Sequence, residues 1–391
     1  MKNKWKSVLS LALAVFLIFG VAACGEKTPD TPASANPPAD SGSQATGNAN
    51  AEPPPASPAA RSKVGLSMPT KSLQRWNQDG ENMQKAFEAA GFDVDLQYGG
   101  ENEVPVQIAQ IENMISSGCN VLVIAAIEGD SLTEVLARAK ERNIPVIAYD
   151  RLIMGTDAVT YYATFDNWQV GVFQGDYIKQ QLKLDSAAGP FNIEFFTGDP
   201  GDNNINFFFD GAMSVLQPYL DSGKLVCPSG QTEKLTVATL AWSAENAQTR
   251  MENIISTNNY GPNGTPLHAV MCSNDSTAQG ATNALVNAGF TSADFPIITG
   301  QDCDIVTMKN MLMGLQAMSV FKDTRTLANQ VVEMVTAILA GNPPPVNDTS
   351  TYDNGTGIIP SFLCEPVVGT LQNYKELLID SGYYTEAQLA S

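Results

Sequence analysis

Unbroken apolar runs, rather than strict alternation, mark most strands of this chain. Val121-Leu122-Val123-Ile124-Ala125-Ala126 is apolar throughout, and five of six residues are apolar in Ile144-Pro145-Val146-Ile147-Ala148-Tyr149. Runs this short and this apolar read as strands buried on both faces, the usual state in a parallel sheet. Between them the period lengthens. Leu73, Trp76, Met83, Phe87 and Ala90 mark one face of a helix that stops at Gly91. Lys63–Met68 precedes that helix as a strand, and Phe92–Tyr98 follows it as an alternating one. Helices are predicted over Val104–Ser117, ending at Gly118, and over Ser131–Arg142. Val159–Phe165 is a further strand, and Asp166-Asn167 signals the next helix start. Strand–helix alternation of this kind predicts an α/β fold with a doubly wound parallel sheet.

The alternation then begins afresh. Strands are predicted at Phe191–Thr197, Leu225–Cys227, Leu267–Cys272 and Pro296–Gly300, with helices around Phe207–Leu220, Ala244–Ser256 and Thr277–Ala288. Pro296-Ile297-Ile298-Thr299-Gly300-Gln301-Asp302 echoes the segment Pro145–Asp150: a proline, a buried strand, then an acid at its carboxyl end. Two similar lobes are expected, each presenting an acid to a shared cleft. Strand Leu315–Phe321 leads to a long helix bearing Leu327, Val331, Val335, Ile338 and Leu339, capped by Asp323 or Thr324. The tail, Ile358–Leu363, Val367-Val368 and Leu371–Leu378, reads as a return crossing and a docking helix.

The first 62 residues change the picture of where this fold resides. Lys2, Lys4 and Lys6 precede an apolar run from Val8 to Val21, which ends Val21-Ala22-Ala23-Cys24. This is the order of a secretory signal, and it looks like a lipobox in which Cys24 becomes the lipidated first residue. Residues 25–62 hold eight of the 23 prolines and show no apolar period, so they read as a semi-extended, disordered spacer. A membrane-anchored, extracytoplasmic protein is expected. The net charge of −19 argues against nucleic acid as a partner. Cys119, Cys227, Cys272, Cys303 and Cys364 are odd in number and lack metal-ligand spacing, so they form no disulfide framework; one bridge stays open.

The candidate chemistry lies at strand ends. In open α/β sheets ligands bind beyond the carboxyl ends of the strands, where Asp150 and Arg151 stand side by side. Asp150 offers acceptors and Arg151 a fork of donors, which suits neighbouring hydroxyls of a sugar. Alone, the pair equally reads as a surface ion pair. Arg151 is expected to hold Asp150 ionised, which favours binding over the acid catalysis that paired Asp150 and Asp302 would otherwise suggest. Phosphate loops, an EF-hand loop and GxSxG are absent, and the single histidine, His268, opens a buried strand. Neither cofactor nor metal is implied. Trp76, beside Arg75, and Trp242 are flat apolar surfaces of the kind that cover a sugar face, although Trp76 also shares the core side of its helix.

Lys63-Val64-Gly65-Leu66-Ser67-Met68-Pro69-Thr70 with Gln74-Arg75-Trp76, Tyr149-Asp150-Arg151, Tyr161–Asn167, Asp202-Asn203-Asn204, Ser273-Asn274-Asp275, Gly300-Gln301-Asp302 and Phe321–Arg325 together resemble the monosaccharide-binding proteins of bacterial ABC importers. The nearest subgroup comprises receptors for xylose, galactose, glucose and multiple sugars. The resemblance runs from about residue 63 to the C-terminus. It implies a type I periplasmic-binding-protein fold, with two lobes joined by three hinge crossings near Thr164–Asp166, Ser319–Phe321 and Val346–Ile359. The lobes would be 63–165 plus 321–357 and 166–320 plus 358–391. Carried over by motif, the sugar contacts are Arg75, Trp76, Asp150, Arg151, Asn203 or Asn204, Trp242, Asn274, Asp302 and Lys322. The resemblance further implies a monomeric, non-enzymatic receptor that passes its sugar to ABC permease subunits. A sensory receptor feeding chemotaxis or a kinase is the alternative.

Overall fold

The computed structural model describes residues 61–390; the signal segment, Cys24, most of the spacer and Ser391 lie outside the described residues. The chain opens with β1 (Lys63–Met68), α1 (Gln74–Ala89), β2 (Asp93–Tyr98), α2 (Val104–Ser116), β3 (Val121–Ile124), α3 (Thr133–Glu141), β4 (Val146–Tyr149) and β5 (Tyr161–Phe165). It continues with α4 (Asn167–Gln181), β6 (Phe191–Phe196), α5 (Asn204–Asp221), β7 (Leu225–Val226), α6 (Ala244–Asn258), β8 (Ala269–Cys272), α7 (Asp275–Asn287), β9 (Ile297–Ile298) and α8 (Ile305–Leu312). It closes with β10 (Ser319–Phe321), α9 (Thr324–Leu339), β11 (Ser361–Cys364), β12 (Val367–Gly369) and α10 (Glu386–Ala390).

Two parallel sheets result. The first has the order β11-β5-β4-β3-β1-β2 and the second β7-β6-β8-β9. The apolar runs work as expected. Within β3, Val121 and Val123 face one core with Trp76, Met83, Phe87, Leu327 and Val331, while Leu122 and Ile124 face the other with Ile111, Met114 and Leu136. Successive side chains point to opposite faces, so a strand covered by helices on both sides has no polar position to spare. Asp166 caps α4 by accepting from Gln169 N, and Asp323 caps α9 by accepting from Arg325 N, both at 2.9 Å.

The tail departs from expectation. β11 pairs in parallel with β5 in the first sheet, although the sequence reading assigns 358–391 to the second lobe. The preceding segment also belongs to the first core: Tyr352 is buried there, and Asn354 Nδ2 donates to the carbonyls of Ile153 and Thr156. Glu365-Pro366 separates β11, in the first sheet, from β12. β12 pairs antiparallel with β10. The expected helix Leu371–Leu378 is a shorter π-type turn at Lys375–Asp380. All five described cysteines are free. His268 is structural, its Nδ1 accepting from Asn192 N at 2.9 Å beside the Phe191 ring.

Candidate functional site

The carboxyl ends of the two sheets meet at one cavity of about 40 Å3. Nine of the ten expected site residues line it: Arg75, Trp76, Asp150, Arg151, Asn204, Trp242, Asn274, Asp302 and Lys322. Asn203 does not. It adopts right-handed helical geometry just before α5, half-exposed, and accepts from its neighbour Asn206. Of the doubled asparagine, Asn204 turns inward, its backbone N–H held by Asp202 Oδ1 at 3.0 Å.

Asp150 and Arg151 are not partners. Asp150 Oδ1 is 2.7 Å from Arg75 Nη2 and 3.7 Å from Lys322 Nζ. Arg151 instead reaches Asp202 Oδ2 at 2.9 Å, and its Nη1 donates to the carbonyls of Ala126 and Ile127. Adjacent residues at a strand end project in different directions, so sequence neighbours need not share a ligand. The Asp150 carbonyl accepts from Tyr162 Oη at 2.6 Å, Thr164 Oγ1 at 3.0 Å and Asn204 Nδ2 at 2.8 Å. These bonds pin Asp150 at φ 57°, a left-handed conformation uncommon for a side-chain-bearing residue. Trp242 at φ 55° and Asp302 at φ 98° are twisted likewise, so three site residues carry backbone conformations of the kind that collects at functional sites.

On the opposite wall, Arg75 Nη1 donates to Asp302 Oδ1 at 2.8 Å, and Lys322 Nζ lies 3.3 Å from the same oxygen. Asn274 caps α7 through its Oδ1, which accepts from Thr277 N. Only its amide Nδ2 is left for the cavity. Trp242 stands edge-on to Phe208, ring centroids 6.1 Å apart. Its indole occupies the space a side chain at Gly198 would need, since a Cβ there would lie 1.9 Å from the ring. Trp76 serves both roles weighed for it. It is part of the first core, and the Arg151 guanidinium sits 5.0 Å from its ring centroid at the cavity.

Residues 64–343 match the periplasmic binding protein domain. The chain belongs to the periplasmic-binding-protein family. It is 52% identical over 327 residues to the multiple sugar-binding periplasmic protein SbpA of Azospirillum brasilense, covering 83% of this chain and 90% of that one. The D-xylose-binding periplasmic protein of Escherichia coli (strain K12) is 35% identical over 327 residues, 84% and 92% of the two chains. Among solved structures, an ABC-transporter solute-binding protein from Clostridium phytofermentans with bound β-D-glucose is 63% identical, with a TM-score of 0.81 over 84% of this chain and 99% of that one.

The electrostatics of this periplasmic-binding protein favour a fixed hydrogen-bonding frame. Burial works against the charge of Asp150, but Arg75, Lys322 and Arg151 outweigh it and hold the carboxyl down at about 2. The largest favourable influence is Arg75, not the adjacent Arg151. Burial similarly opposes the charge on Arg75, yet Asp150, Asp79 and Asp302 raise its pKa well above the usual value. Beneath it, Asp79 takes Arg75 Nε at 2.5 Å and the Tyr149 hydroxyl at 2.5 Å. Burial pushes Asp79 up to about 6 despite Arg75.

Sequence reasoning missed Leu73, Asp202, Phe208, Ser276, Gln301 and Asp304, all of which line the cavity. Asp202 and Gln301 adjoin motif residues. The clearest available signal was Asp304, an acid two positions past Asp302.

Proposed function

We propose that this chain is a lipid-anchored receptor whose cavity residues grip a monosaccharide and close two lobes around it for delivery to an ABC permease. The observation that carries the reading is the cavity itself: acids, guanidinium groups and amides from both sheets converge on one small space with Trp242 beside it. Such a set suits a ring with an apolar face and a polar rim. The protein is an extracytoplasmic solute-binding protein, and its relatives' sugars, multiple sugars, D-xylose and β-D-glucose, set the class of ligand.

Binding needs no bond chemistry. Asp150 is held ionised as an acceptor, and Arg75 is engaged by three carboxylates, so neither is poised as an acid. The first lobe would comprise 63–165 plus 321–364 and the second 166–320 plus 367–390, with hinges at Phe165-Asp166, Val320-Phe321 and Glu365-Pro366. A sugar touching both lobes selects the closed form by its differential affinity for it. The anchor is Cys24, and the receptor works as a monomer.

Calorimetry and thermal shift with D-xylose, D-glucose and D-galactose test the reading. Saturable binding that raises the unfolding temperature is expected, because a ligand of the folded state stabilises it. Absence of binding to all three, or turnover of a glycoside, would overturn it. Cys24→Ser should release the protein from the membrane fraction.

A further inference from the structure

Ten buried side-chain polar atoms lack a hydrogen-bond partner among the described residues, and four of them belong to residues lining the cavity: Arg151 Nε, Trp242 Nε1, Gln301 Oε1 and Asp304 Oδ1. Arg151 Nε is 2.9 Å from Asp202 Oδ2 and so is ion-paired. The other three, Gln301 and Asp304 after β9 and Trp242 in the turn before α6, have no such relief. Gln301 is 2% exposed and Trp242 4% exposed, so water does not serve their polar atoms freely. A buried group left without a partner costs roughly 1–3 kcal/mol, and natural structures keep few of them. The first-sheet side differs: Arg75 and Asp150 are engaged by protein partners.

Local structure does not explain these atoms. Asp304 occupies the residue before α8, where an aspartate would ordinarily cap the helix, yet its side chain makes no capping bond. Its backbone N–H is taken by Asp275 Oδ2 at 2.8 Å. Gly300 lets this corner form, since a Cβ there would lie 2.1 Å from Asp275 Oδ1. The main chain of Gln301 is likewise committed, accepting from Asp275 N at 3.0 Å. Each backbone is fixed while each side chain keeps an unused acceptor.

From this we infer that Gln301 and Asp304 form a specificity-determining subsite, with both oxygens accepting hydrogen bonds from one or two hydroxyls of the sugar and Trp242 Nε1 donating back to a hydroxyl oxygen. This rests on the monosaccharide reading and adds to it. A hydroxyl both donates and accepts, so it satisfies this combination, whereas a hydrogen or fluorine in its place cannot donate. Asp304 is also pushed up to about 7, by burial first and by Asp302 second, so near neutral pH the carboxyl offers an acceptor oxygen at little electrostatic penalty.

The test uses D-glucose, D-galactose and D-xylose, then the deoxy and deoxyfluoro derivatives of whichever binds, against the wild-type chain, Gln301→Met and Asp304→Ala. Expected is one ring position at which replacing hydroxyl by fluorine weakens wild-type binding about tenfold, the scale of one hydrogen bond to a buried partner. The same replacement should change little in the variant that has already lost the matching acceptor. If both variants weaken every analogue by one common factor, or bind all of them as wild type does, the subsite is overturned while the receptor reading stands. If the wild type binds none of the three parent sugars, the receptor reading fails and the subsite with it. Thermal unfolding without sugar identifies a variant that is merely unfolded, and the other variant then decides.

Discussion

Arg75 and Asp302, 227 residues apart in the chain, form a 2.8 Å ion pair across the cleft. One stands in the first turn of α1, the other just past β9, so the contact joins the two sheets at the cavity. Arg75 also holds Asp150 and Asp79, and Lys322 reaches both Asp150 and Asp302. The result is a buried charge network in which each carboxylate fixes a cation that would otherwise be free to turn. Buried pairs of this kind contribute little net stability but are costly to break from one side.

Asp150→Ala should therefore abolish sugar binding and lower stability together. The carboxyl leaves Arg75 with one partner fewer and Lys322 with one acid instead of two, while Arg151 keeps Asp202. The expected loss is about 3–5 kcal/mol of folding stability, read as a lower denaturant midpoint. Calorimetry should detect no heat of sugar binding. Near-normal affinity in a folded variant would remove Asp150 from the ligand set. Arg151→Ala should behave differently, unpairing Asp202 and the Ala126 and Ile127 carbonyls without disturbing the Asp150–Arg75 contact.

Trp242 offers a readout of its own. Trp242→Ala should weaken binding by about ten- to a hundredfold, as expected for loss of a large buried aromatic contact. It should also diminish the sugar-induced change in tryptophan fluorescence. Gly198→Ala should give a similar phenotype with the tryptophan still present, because its Cβ would occupy the place of the ring. A normal fluorescence response in Trp242→Ala would transfer the role to Trp76.

How much of this was legible follows from which interactions are local. The buried strands and the acids at their ends, Asp150 and Asp302, could be read because strand, terminus and acid are contiguous. The caps at Asp166 and Asp323 were readable for the same reason. The pairing was not. Asp150-Arg151 looks like a unit in sequence, but side-chain direction sends the two to partners 75 residues back and 51 residues ahead, Arg75 and Asp202. β11 was misplaced because Ser361–Cys364 carries the same pattern whichever sheet receives it; only Tyr352 and Asn354, buried against the first core, decide. Asp304 stands where an aspartate would ordinarily cap α8, and that it leaves the helix uncapped is set by tertiary placement, which local sequence does not carry.

Stability should depend on pH through the buried carboxyls: burial raises Asp79, Asp304, Asp202 and, well above the usual value, Asp275, whereas Asp150 is held down against burial by Arg75. Asp79 is pushed up to about 6 and Asp304 to about 7, burial being the main cause in both. A carboxyl raised above its unfolded value of about 4 contributes stability that is fully present below that value. That contribution is lost as pH rises through 6 and 7. Asp150, held at about 2, acts in the opposite sense: its contribution is present above about 4 and lost as pH falls through 2. The unfolding temperature of the sugar-free protein should therefore peak at about pH 4–5 and decline toward pH 8. Asp304→Asn should flatten the upper part of that decline. A profile that climbs steadily from pH 5 to pH 8 in the wild type would contradict the assignment.

The last prediction concerns closure away from the cavity. Tyr384, near the C-terminus, accepts from Gln74 Nε2 at 2.6 Å and Gln78 Nε2 at 3.0 Å, and donates to the Cys303 carbonyl at 3.0 Å. Gln74 Oε1 meanwhile accepts from Ile305 N at 3.1 Å. Both glutamines lie on α1, packed on the first sheet, whereas Tyr384 packs with Met308, Met311 and Leu378. The hydroxyl thus ties α1 to the α8 region without lining the cavity. Tyr384→Phe keeps the ring and its packing but loses the bonds, worth about 0.5–1.5 kcal/mol each. If they form only on closure, the open form gains relative to the closed one. Sugar affinity should fall several-fold through a faster off-rate, while the relative preference among sugars stays unchanged. Gln74→Ala with Gln78→Ala should reproduce the effect from the other side. Stopped-flow fluorescence measures the off-rate, and an unchanged rate in both variants would show that these contacts persist in the open form.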